Sequence, residues 1–293
     1  MTAAADAHQS PSILITGATD GLGRAMAVFL AANGYRVFAA GRSAEKRASL
    51  DRLAAERKLL IETLDMDVSD DASVRRGVDR VLERAGQIEV LINNAGVAYV
   101  AVMEEIRLDD LRKQYETNVF GVLRVTQAVL PGMRERRSGR ILNMSSIAGK
   151  IASPLMGAYA SSKFALEGLS DSLRLELAPF GVRVVLIEPG YIPTNMSSAS
   201  LELSASYAAK AERSPYARVY LSFRNSWKKA TQEARATPED CARVILRAIL
   251  DTPPRPRYTV TRRARFGVIA KRFLTDRMLD KRILHSMGLD KPL

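Results

Sequence analysis

The sequence contains very little cysteine and histidine. Among 293 residues there is one cysteine, Cys241, and there are two histidines, His8 and His285, near opposite ends of the chain. A single cysteine cannot form an intramolecular disulfide, and it favours a reducing, cytoplasmic compartment. With so few ligands, neither a Cys/His metal centre nor a hydrolase triad that depends on histidine is expected. We therefore predict no metal among the site residues.

Long apolar runs are also missing. No stretch approaches the roughly 18 to 20 uncharged apolar residues that a membrane-spanning helix needs. The first residues, MTAAADAHQSPS, have neither a basic start nor an apolar core, so we do not expect a secretory signal there. The sequence thus predicts a chain that does not span a membrane.

Charge is distributed unevenly along the chain. Lys and Arg number 44 against 32 Asp and Glu, a net +12, and residues 255–293 alone hold 11 basic and three acidic side chains. This asymmetry suggests that the C-terminal end meets a polyanion or an anionic membrane surface, although a solvated basic face explains it equally well. No nucleic-acid-binding motif accompanies the basic residues, so we expect no nucleic-acid partner.

Short apolar runs alternate with longer helical patterns up to about residue 190. The predicted strands are Ile13–Thr16, Arg36–Ala40, Leu60–Leu64, Ile88–Ile92, Arg140–Met144 and Arg183–Ile187. Helices are predicted over approximately residues 21–33, 45–58, 72–85, 104–117, 119–137 and 158–178. This alternation is typical of an α/β protein with a doubly wound parallel sheet and helices on both faces.

The pattern weakens after residue 190. Residues 191–235 are interpreted as short helices in a mobile flap. Thr237 followed by Pro238 predicts the start of a helix that ends near Leu250, and a last strand is predicted at Tyr258–Thr261. We predict one domain over residues 1–293, made of a core (10–190), the flap (191–235) and a C-terminal helical extension (236–293).

The tail beyond the last strand is basic and amphipathic. One helical face carries the apolar residues Phe266, Ile269, Ala270, Phe273 and Leu274. Arg265, Lys271 and Arg272 fall mostly elsewhere. The preferred interpretation is that the apolar face packs on the parent domain or covers the substrate pocket, and interfacial membrane binding is the alternative.

A glycine-rich turn, TGATDGLG at 16–23, follows the first strand and opens a helix. Its spacing, Gly-x-x-x-Gly-x-Gly, places glycines at Gly17, Gly21 and Gly23. Glycines let a backbone approach a pyrophosphate, and the helix N-terminus supplies unpaired N–H groups. An ordinary glycine turn also explains the spacing taken alone.

The end of the second predicted strand bears on the choice of dinucleotide. An acidic residue there would bind the adenosine ribose and repel a 2′-phosphate, but this chain has Gly41 followed by Arg42. A guanidinium can grip a phosphate through two hydrogen bonds. The pattern therefore favours NADP(H), with NAD(H) as the alternative.

Three residues form a candidate proton-transfer set. Tyr159 and Lys163 are four residues apart, so they share one face of a helix. A nearby ammonium stabilises a phenolate and lowers a tyrosine pKa that is otherwise about 10. Ser146 could hydrogen-bond a substrate oxygen beside the phenol.

In combination these motifs resemble the short-chain dehydrogenase/reductase family over nearly the whole chain. The matching motifs, in family order, are TGATDGLG, Asp67-Val68, NNAG at 93–96, Asn118, Ser146, YASSK at 159–163, and Pro189-Gly190 with Thr194. The resemblance implies a Rossmann-type doubly wound sheet and a homodimer or homotetramer. Because the tail is longer than in compact members, the chain is similar to relatives that act on steroid, retinoid or lipid-like substrates.

The resemblance also implies catalytic roles. Tyr159 would be the general acid in reduction and the base in oxidation. Lys163 would lower the Tyr159 pKa and bind the nicotinamide ribose, and Ser146 would polarise the carbonyl. Asn118 would help to hold a water-linked proton relay to Lys163.

The implied cofactor contacts are more numerous. Asp67 would meet the adenine, Asn93 and Gly96 would line the adenosine side, and Thr194 would contact the carboxamide. Asp20 stands where some NADP-dependent relatives carry a basic residue. The full set of predicted cofactor-binding residues is Gly17, Thr19, Asp20, Gly21, Leu22, Gly23, Arg42, Ser43, Asp67, Val68, Asn94, Ala95, Gly96, Asn118, Tyr159, Lys163, Pro189, Gly190, Ile192 and Thr194.

Aromatic and apolar residues suggest the substrate. Those in the flap are Tyr207, Tyr216, Tyr220, Phe223 and Trp227, and those near the predicted catalytic end of the sheet are Tyr99, Val100, Met103, Met156 and Tyr191. If several line the cleft, the pocket suits a bulky apolar alcohol or carbonyl, although core packing explains any single one. The sequence thus predicts an NADP(H)-dependent oxidoreductase that interconverts an alcohol and a ketone or aldehyde; the alternative is a non-catalytic NADP-binding or scaffold protein.

Overall fold

The computed structural model describes residues 10–291. His8 and most of the N-terminal segment in which we expect no secretory signal lie outside the described residues, as do the last two residues of the predicted extension.

Within residues 10–291, seven strands form one sheet in which every pairing is parallel. The strands are β1 (Ser12–Ile15), β2 (Arg36–Gly41), β3 (Ile61–Asp65), β4 (Val90–Asn93), β5 (Gly139–Met144), β6 (Val182–Glu188) and β7 (Arg257–Thr259). Their order is β3-β2-β1-β4-β5-β6-β7. Central strands such as β1 are buried at every residue, as expected when helices cover both faces. The α/β doubly wound prediction is confirmed.

Twelve α-helices connect or follow the strands in residues 10–291. They are α1 (Gly21–Ala32), α2 (Ala44–Arg57), α3 (Asp71–Ala85), α4 (Leu108–Tyr115), α5 (Gly121–Glu135), α6 (Gly157–Leu177), α7 (Asn195–Leu203), α8 (Ala205–Ala208), α9 (Ala217–Glu233), α10 (Pro238–Leu250), α11 (Arg262–Phe273) and α12 (Asp276–Ser286). Within this described part of the chain, no helix is both long and apolar enough to cross a membrane.

The strand order reverses between β1 and β4, and this position locates the cleft. In open parallel sheets, ligands bind beyond the carboxyl ends of the strands where neighbouring connections diverge. The glycine-rich turn follows β1, and residues 94–96 follow β4. Since β1 and β4 are hydrogen-bonded neighbours, these two segments meet at the same edge.

The helix predicted at 104–117 begins at Leu108 instead. Glu104 and Glu105 precede it, and each accepts a hydrogen bond from a flap tyrosine, Tyr216 and Tyr220 respectively. The two helices predicted to meet near residue 118 are joined there by a π-helical turn, Glu116–Phe120, between α4 and α5. Such turns often occur at functional positions in otherwise regular helices.

The flap is more regular than predicted. Helix α9 has 17 residues, so the prediction of short helices is wrong for this part. Tyr220, Phe223 and Trp227 recur at helical spacing, and Tyr220 and Phe223 pack in one apolar cluster. This sustained apolar face accounts for the length of the helix.

The tail packs differently from the preferred interpretation. Phe266 is 69% exposed and Phe273 81% exposed, so the prediction that this face packs on the parent domain is wrong. Helix α11 instead uses small residues for contact: Ala264 is buried, and Gly267 faces Ile147 and Ile151.

Candidate active site

Helix α6 places Tyr159 and Lys163 on the side that faces the end of β5. The Lys163 Nζ donates a hydrogen bond to the main-chain oxygen of Met144 at 2.7 Å, and lies 5.6 Å from the centre of the Tyr159 ring. The lysine is 5% exposed, whereas Tyr159 is half-buried. The predicted pairing of the two side chains on one helix face is what the structure contains.

Burial moves the two pKa values in opposite directions from their ordinary values. It lowers the pKa of Lys163 to about 8, although the negative charge of Glu167 raises it. It raises the pKa of Tyr159 to about 12, although a hydrogen bond with Ser146 lowers it. At neutral pH the phenol therefore carries its proton, next to an ammonium that remains charged.

Ser146 lies just beyond β5 and caps a short 3-10 turn, Ile147–Gly149. Its Oγ accepts a hydrogen bond from the Ala148 N–H at 3.1 Å and is also paired with Tyr159. The neighbouring Ser145 Oγ is buried and has no hydrogen-bond partner among residues 10–291. Ser146 is thus the serine that pairs with the phenol, and Ser145 lines the same cleft.

Asn118 lies in the π-helical turn and is fully buried. Its amide donates to the Val97 carbonyl at 2.9 Å and to Ser162 Oγ at 3.0 Å, while its Oδ1 accepts from the Val97 N–H at 2.9 Å. The side chain therefore fastens the segment after β4 to the helix that carries Tyr159 and Lys163. A water relay through Asn118 stays a prediction.

The glycine-rich turn is a close backbone cradle. A Cβ at Gly23 would lie 2.1 Å from the Gly17 carbonyl oxygen, and one at Gly17 would lie 2.8 Å from the Ala95 Cα. The Asn94 amide donates to the carbonyls of Thr16 and Gly17 at 3.0 and 2.9 Å. Only glycine fits these positions, so the backbone around the helix N-terminus stays open to a ligand as a pyrophosphate site requires.

Thr19 explains the glycine at the end of β2. A Cβ at Gly41 would lie 2.5 Å from the Thr19 Oγ1. Thr19 therefore occupies the space that a side chain at Gly41 would need, and an acidic residue could not stand there without displacing it.

Three cations lie near this end of β2, and one of them, Arg47, donates to the Gly41 carbonyl at 2.7 Å. Arg42 is 68% exposed and pairs with Asp67 at 3.4 Å, and Ser43 caps α2 by accepting from the Lys46 N–H at 3.3 Å. Lys46 itself pairs with Asp20, which also caps α1. The sequence alone does not indicate Lys46, because its approach to a residue 26 positions away is a tertiary contact.

The Asp67 pKa is consistent with this pairing. Burial would raise it, but the hydrogen bonds from Ser69 and the Arg42 guanidinium outweigh burial and hold it below its ordinary value. Asp67 is therefore a charged acceptor at neutral pH. Val68, next to it, packs where a Cβ at Gly121 would lie.

One cleft of about 400 Å³ brings ten of the predicted residues together. Those that line it are Leu22, Asn94, Gly96, Ser146, Tyr159, Lys163, Pro189, Gly190, Ile192 and Thr194. A neighbouring cavity of about 190 Å³ is lined by Gly17, Asp20, Gly21, Leu22, Gly23, Asn94, Ala95, Gly96 and Thr194. Of the remaining residues, Asn118 lies in the π-helical turn, and Thr19, Arg42, Ser43, Asp67 and Val68 lie in or next to the turns after β1, β2 and β3. This cradle fits a dinucleotide.

The prediction that Asn93 lines the adenosine side is wrong. Asn93 is 2% exposed, and its amide donates to Thr126 Oγ1 at 3.1 Å and Asn143 Oδ1 at 2.9 Å. The residue ties β4 to β5 and α5 inside the core, so it does not line the adenosine side.

Trp227 lines three of the cavities. It packs against Tyr191 and Phe223, with ring centres 5.3 and 5.4 Å away. It lines the 400 Å³ cleft that contains Tyr159, which we call the candidate catalytic cleft. It also lines two cavities on the flap side, which we call the second cavity (about 550 Å³) and the third cavity (about 320 Å³). The second cavity lies beside α7–α9 and the third faces Ile283 and Met287 at the end of the chain.

Other aromatic and apolar residues considered for the pocket divide into two groups. Met156 and Tyr191 line the candidate catalytic cleft, and Val100, Tyr220 and Phe223 line the second cavity. By contrast, Tyr99 and Tyr207 pack in a separate core cluster, Tyr216 bonds to Glu104, and Met103 is half exposed.

Comparisons with known proteins agree with this geometry. The family model for short chain dehydrogenases matches residues 11–203. The chain is 36% identical over 259 residues to human 17-beta-hydroxysteroid dehydrogenase type 1, covering 86% of this chain and 77% of the relative.

Two solved dehydrogenase structures have a fold similar to that of this chain. A short chain dehydrogenase/reductase from Burkholderia phymatum in complex with NAD has a TM-score of 0.78 at 26% identity, covering 89% of this chain and 92% of that one. A gluconate 5-dehydrogenase from Burkholderia cenocepacia in complex with NADP and tartrate has a TM-score of 0.71 at 25% identity, covering 91% and 99%. The chain belongs to the short-chain dehydrogenase/reductase family, and it is a nicotinamide-dependent oxidoreductase that acts on CH–OH groups.

Proposed function

We propose that this protein is an NADP(H)-dependent oxidoreductase that interconverts an alcohol and a ketone or aldehyde on a bulky apolar substrate. The observation that carries the proposal is the meeting of Ser146, Tyr159 and Lys163 in an apolar cleft beside the glycine-rich turn.

The proton chemistry follows from the positions of these side chains. Ser146 would donate a hydrogen bond to the carbonyl oxygen, and Tyr159 would transfer its phenolic proton to that oxygen as negative charge develops there. The Lys163 ammonium, 5.6 Å from the ring centre, would stabilise the resulting phenolate. In oxidation the same phenolate would accept the alcohol proton. A bound NADP(H) would supply or accept the hydride.

The preference for NADP(H) rests on charge at the end of β2. Arg42 and Lys46 place two cations there. Thr19 occupies the space that an acidic side chain at position 41 would need, and such a side chain would repel a 2′-phosphate. Exposed ion pairs such as Arg42 with Asp67 are weak, so Arg42 is free to turn towards a phosphate. The related structures hold NAD or NADP, so NAD(H) is the alternative cofactor.

A test of cofactor choice is thermal unfolding with NADPH, with NADH and with neither. Ligand at about a hundred times its dissociation constant adds roughly 2.7 kcal/mol to the free energy of unfolding. We expect NADPH to raise the midpoint by several degrees and NADH to raise it less. Equal shifts would contradict the preference, and no shift with either would favour the scaffold alternative.

The proposed substrate class rests on the cavities that meet at Trp227. The candidate catalytic cleft exposes mostly apolar groups, and the second cavity extends the space past Phe223. Apolar pockets of this volume suit large or chain-like ligands. The human relative is named for a hydroxysteroid, which is consistent with a bulky apolar substrate.

Oxidation of NADPH across a homologous series of ketones tests the substrate class. We expect kcat/KM to rise with chain length by roughly tenfold for every two added methylenes that become buried. Activity that is independent of chain length would overturn the proposed substrate class while leaving the oxidoreductase function intact. The homo-oligomer, the cytoplasmic location and the division into core, flap and extension stay predictions.

A further inference from the structure

We propose that helices α11 and α12 dock this protein on an anionic lipid bilayer, with Phe266, Ile269 and Phe273 entering the interface. The inference does not depend on the catalytic proposal.

The apolar residues form one exposed stripe along α11. They are spaced by three and four positions, so they lie on one side of the helix. Their exposed fractions are 69% for Phe266, 46% for Ile269 and 81% for Phe273. Two exposed phenylalanines one turn from an exposed isoleucine form an apolar patch of the kind that marks an interaction site.

The stripe faces outward because the opposite side of α11 holds the helix to the protein body. Ala264 is 3% exposed, and a Cβ at Gly267 would lie 3.5 Å from Ile147 and Ile151. Thr261 caps α11 and lies where a Cβ at Gly190 would fall. The helix therefore cannot turn its phenylalanines inward without losing these contacts.

Basic residues are concentrated on the helix that carries the stripe and on the helix that follows it. Helices α11 and α12 together carry eight Lys and Arg against two Asp. Arg263 and Lys271 form ion pairs, with Glu233 and Asp276. The other six form no ion pair with any residue in 10–291: Arg262, Arg265, Arg272, Arg277, Lys281 and Arg282.

This combination fits a bilayer better than a second copy of the chain. An isologous contact would place two copies of the same basic surface against each other, which like charges oppose. Anionic headgroups neutralise the arginines, and apolar side chains with basic flanks are the composition of helices that lie in the membrane interface.

Flotation with vesicles tests the proposal. The full chain is mixed with vesicles of phosphatidylcholine alone or of phosphatidylcholine with phosphatidylglycerol, at low and at high salt. We expect the protein to float with the anionic vesicles at low salt, and to be released by high salt and by removal of phosphatidylglycerol.

Two variant pairs separate the apolar from the charged contribution. Phe266→Ser with Phe273→Ser should reduce vesicle binding at least about tenfold, whereas Leu175→Ser with Phe180→Ser, which alters exposed apolar residues elsewhere, should not. Arg272→Gln with Arg277→Gln should reduce it roughly 30-fold. Arg75→Gln with Arg76→Gln changes the net charge equally on exposed positions of α3 and should have little effect.

Several results would overturn the proposal. The first is failure of the full chain to float with anionic vesicles, and the second is an equal loss of vesicle binding in the test and control variants. The third is that the chain binds no lipid but forms an oligomer, which dissociates when both phenylalanines are changed to serine. Thermal midpoints of all variants are compared first, and if the phenylalanine variant does not fold, the arginine pair decides the outcome.

Discussion

The Lys163 Nζ is anchored 2.7 Å from the Met144 carbonyl oxygen and lies 5.6 Å from the centre of the Tyr159 ring. The ammonium is therefore fixed by the last residue of β5, while the phenol remains open to the cleft. The end of β5 thus holds the ammonium beside the proposed acid, while burial and the hydrogen bond with Ser146 set the pKa of the phenol.

The pH dependence of reduction should report the Lys163 pKa. Because burial lowers this pKa to about 8, the ammonium is charged below that pH and neutral above it. Tyr159 keeps its proton until about pH 12, so the loss at higher pH comes from the lysine. We expect kcat/KM for ketone reduction to be level below pH 8 and to fall above it. A profile that stays level up to the ordinary lysine pKa of about 10.4 would contradict this account.

Glu167 should set where that fall begins. Its charge raises the Lys163 pKa, so Glu167→Gln should move the fall in kcat/KM to lower pH. Lys150 and Arg257 lie within ion-pair distance of Glu188 as well as Glu167, so both cations keep a partner in the variant. Glu176→Gln, an exposed position on the same helix, is the matched control and should leave the profile unchanged. An unchanged pH profile in both variants would show that the Glu167 charge does not raise the Lys163 pKa.

Arg42 should discriminate between the two dinucleotides. A charge-assisted hydrogen bond is worth about 1.5–3 kcal/mol, so Arg42→Gln should raise the KM for NADPH by roughly 10- to 100-fold. The KM for NADH should change little, and Lys46→Gln should act in the same direction. Arg76→Gln, exposed on α3, is the control. Equal losses for both cofactors would show that Arg42 does not read the 2′-phosphate.

Two helical glycines should respond in opposite ways to alanine. At Gly23 the new Cβ would lie 2.1 Å from the Gly17 carbonyl oxygen, so Gly23→Ala should lower the unfolding midpoint and weaken NADPH binding. At Gly168 a new Cβ would meet no atom of residues 10–291 within 4 Å beyond its own helix backbone and chain neighbours, so Gly168→Ala should add about 0.5–1 kcal/mol to the free energy of unfolding. Calorimetry with and without NADPH measures both. A Gly23→Ala protein that binds NADPH normally would contradict the assignment of the cradle.

The sequence supported predictions where function depends on local spacing. Tyr159 and Lys163 share a helix face because they are four residues apart, and the alternation of strands and helices predicts the parallel sheet. Contacts between distant segments were not predictable in this way. Lys46 meets Asp20 only because α2 lies beside the glycine-rich turn, and Asn93 turns into the core because Thr126 and Asn143 face it.

The tail shows a second limit of periodicity. Its spacing correctly indicates an amphipathic helix but not which side contacts the protein. The surface at Ile147 and Ile151 receives Gly267, because a small residue allows the helix to approach closely. The phenylalanines are left facing outward, which an apolar count alone would not predict.

The proposed role of Tyr159 is tested most directly by comparing two tyrosine-to-phenylalanine variants in NADPH oxidation with the best ketone of the series. Tyr159 and Tyr191 both line the cleft, so each variant removes one hydroxyl from the same space. We predict that Tyr159→Phe lowers kcat by about 10²- to 10⁴-fold while retaining the thermal shift with NADPH, and that Tyr191→Phe retains most activity. A Tyr159→Phe enzyme with wild-type kcat would contradict the account.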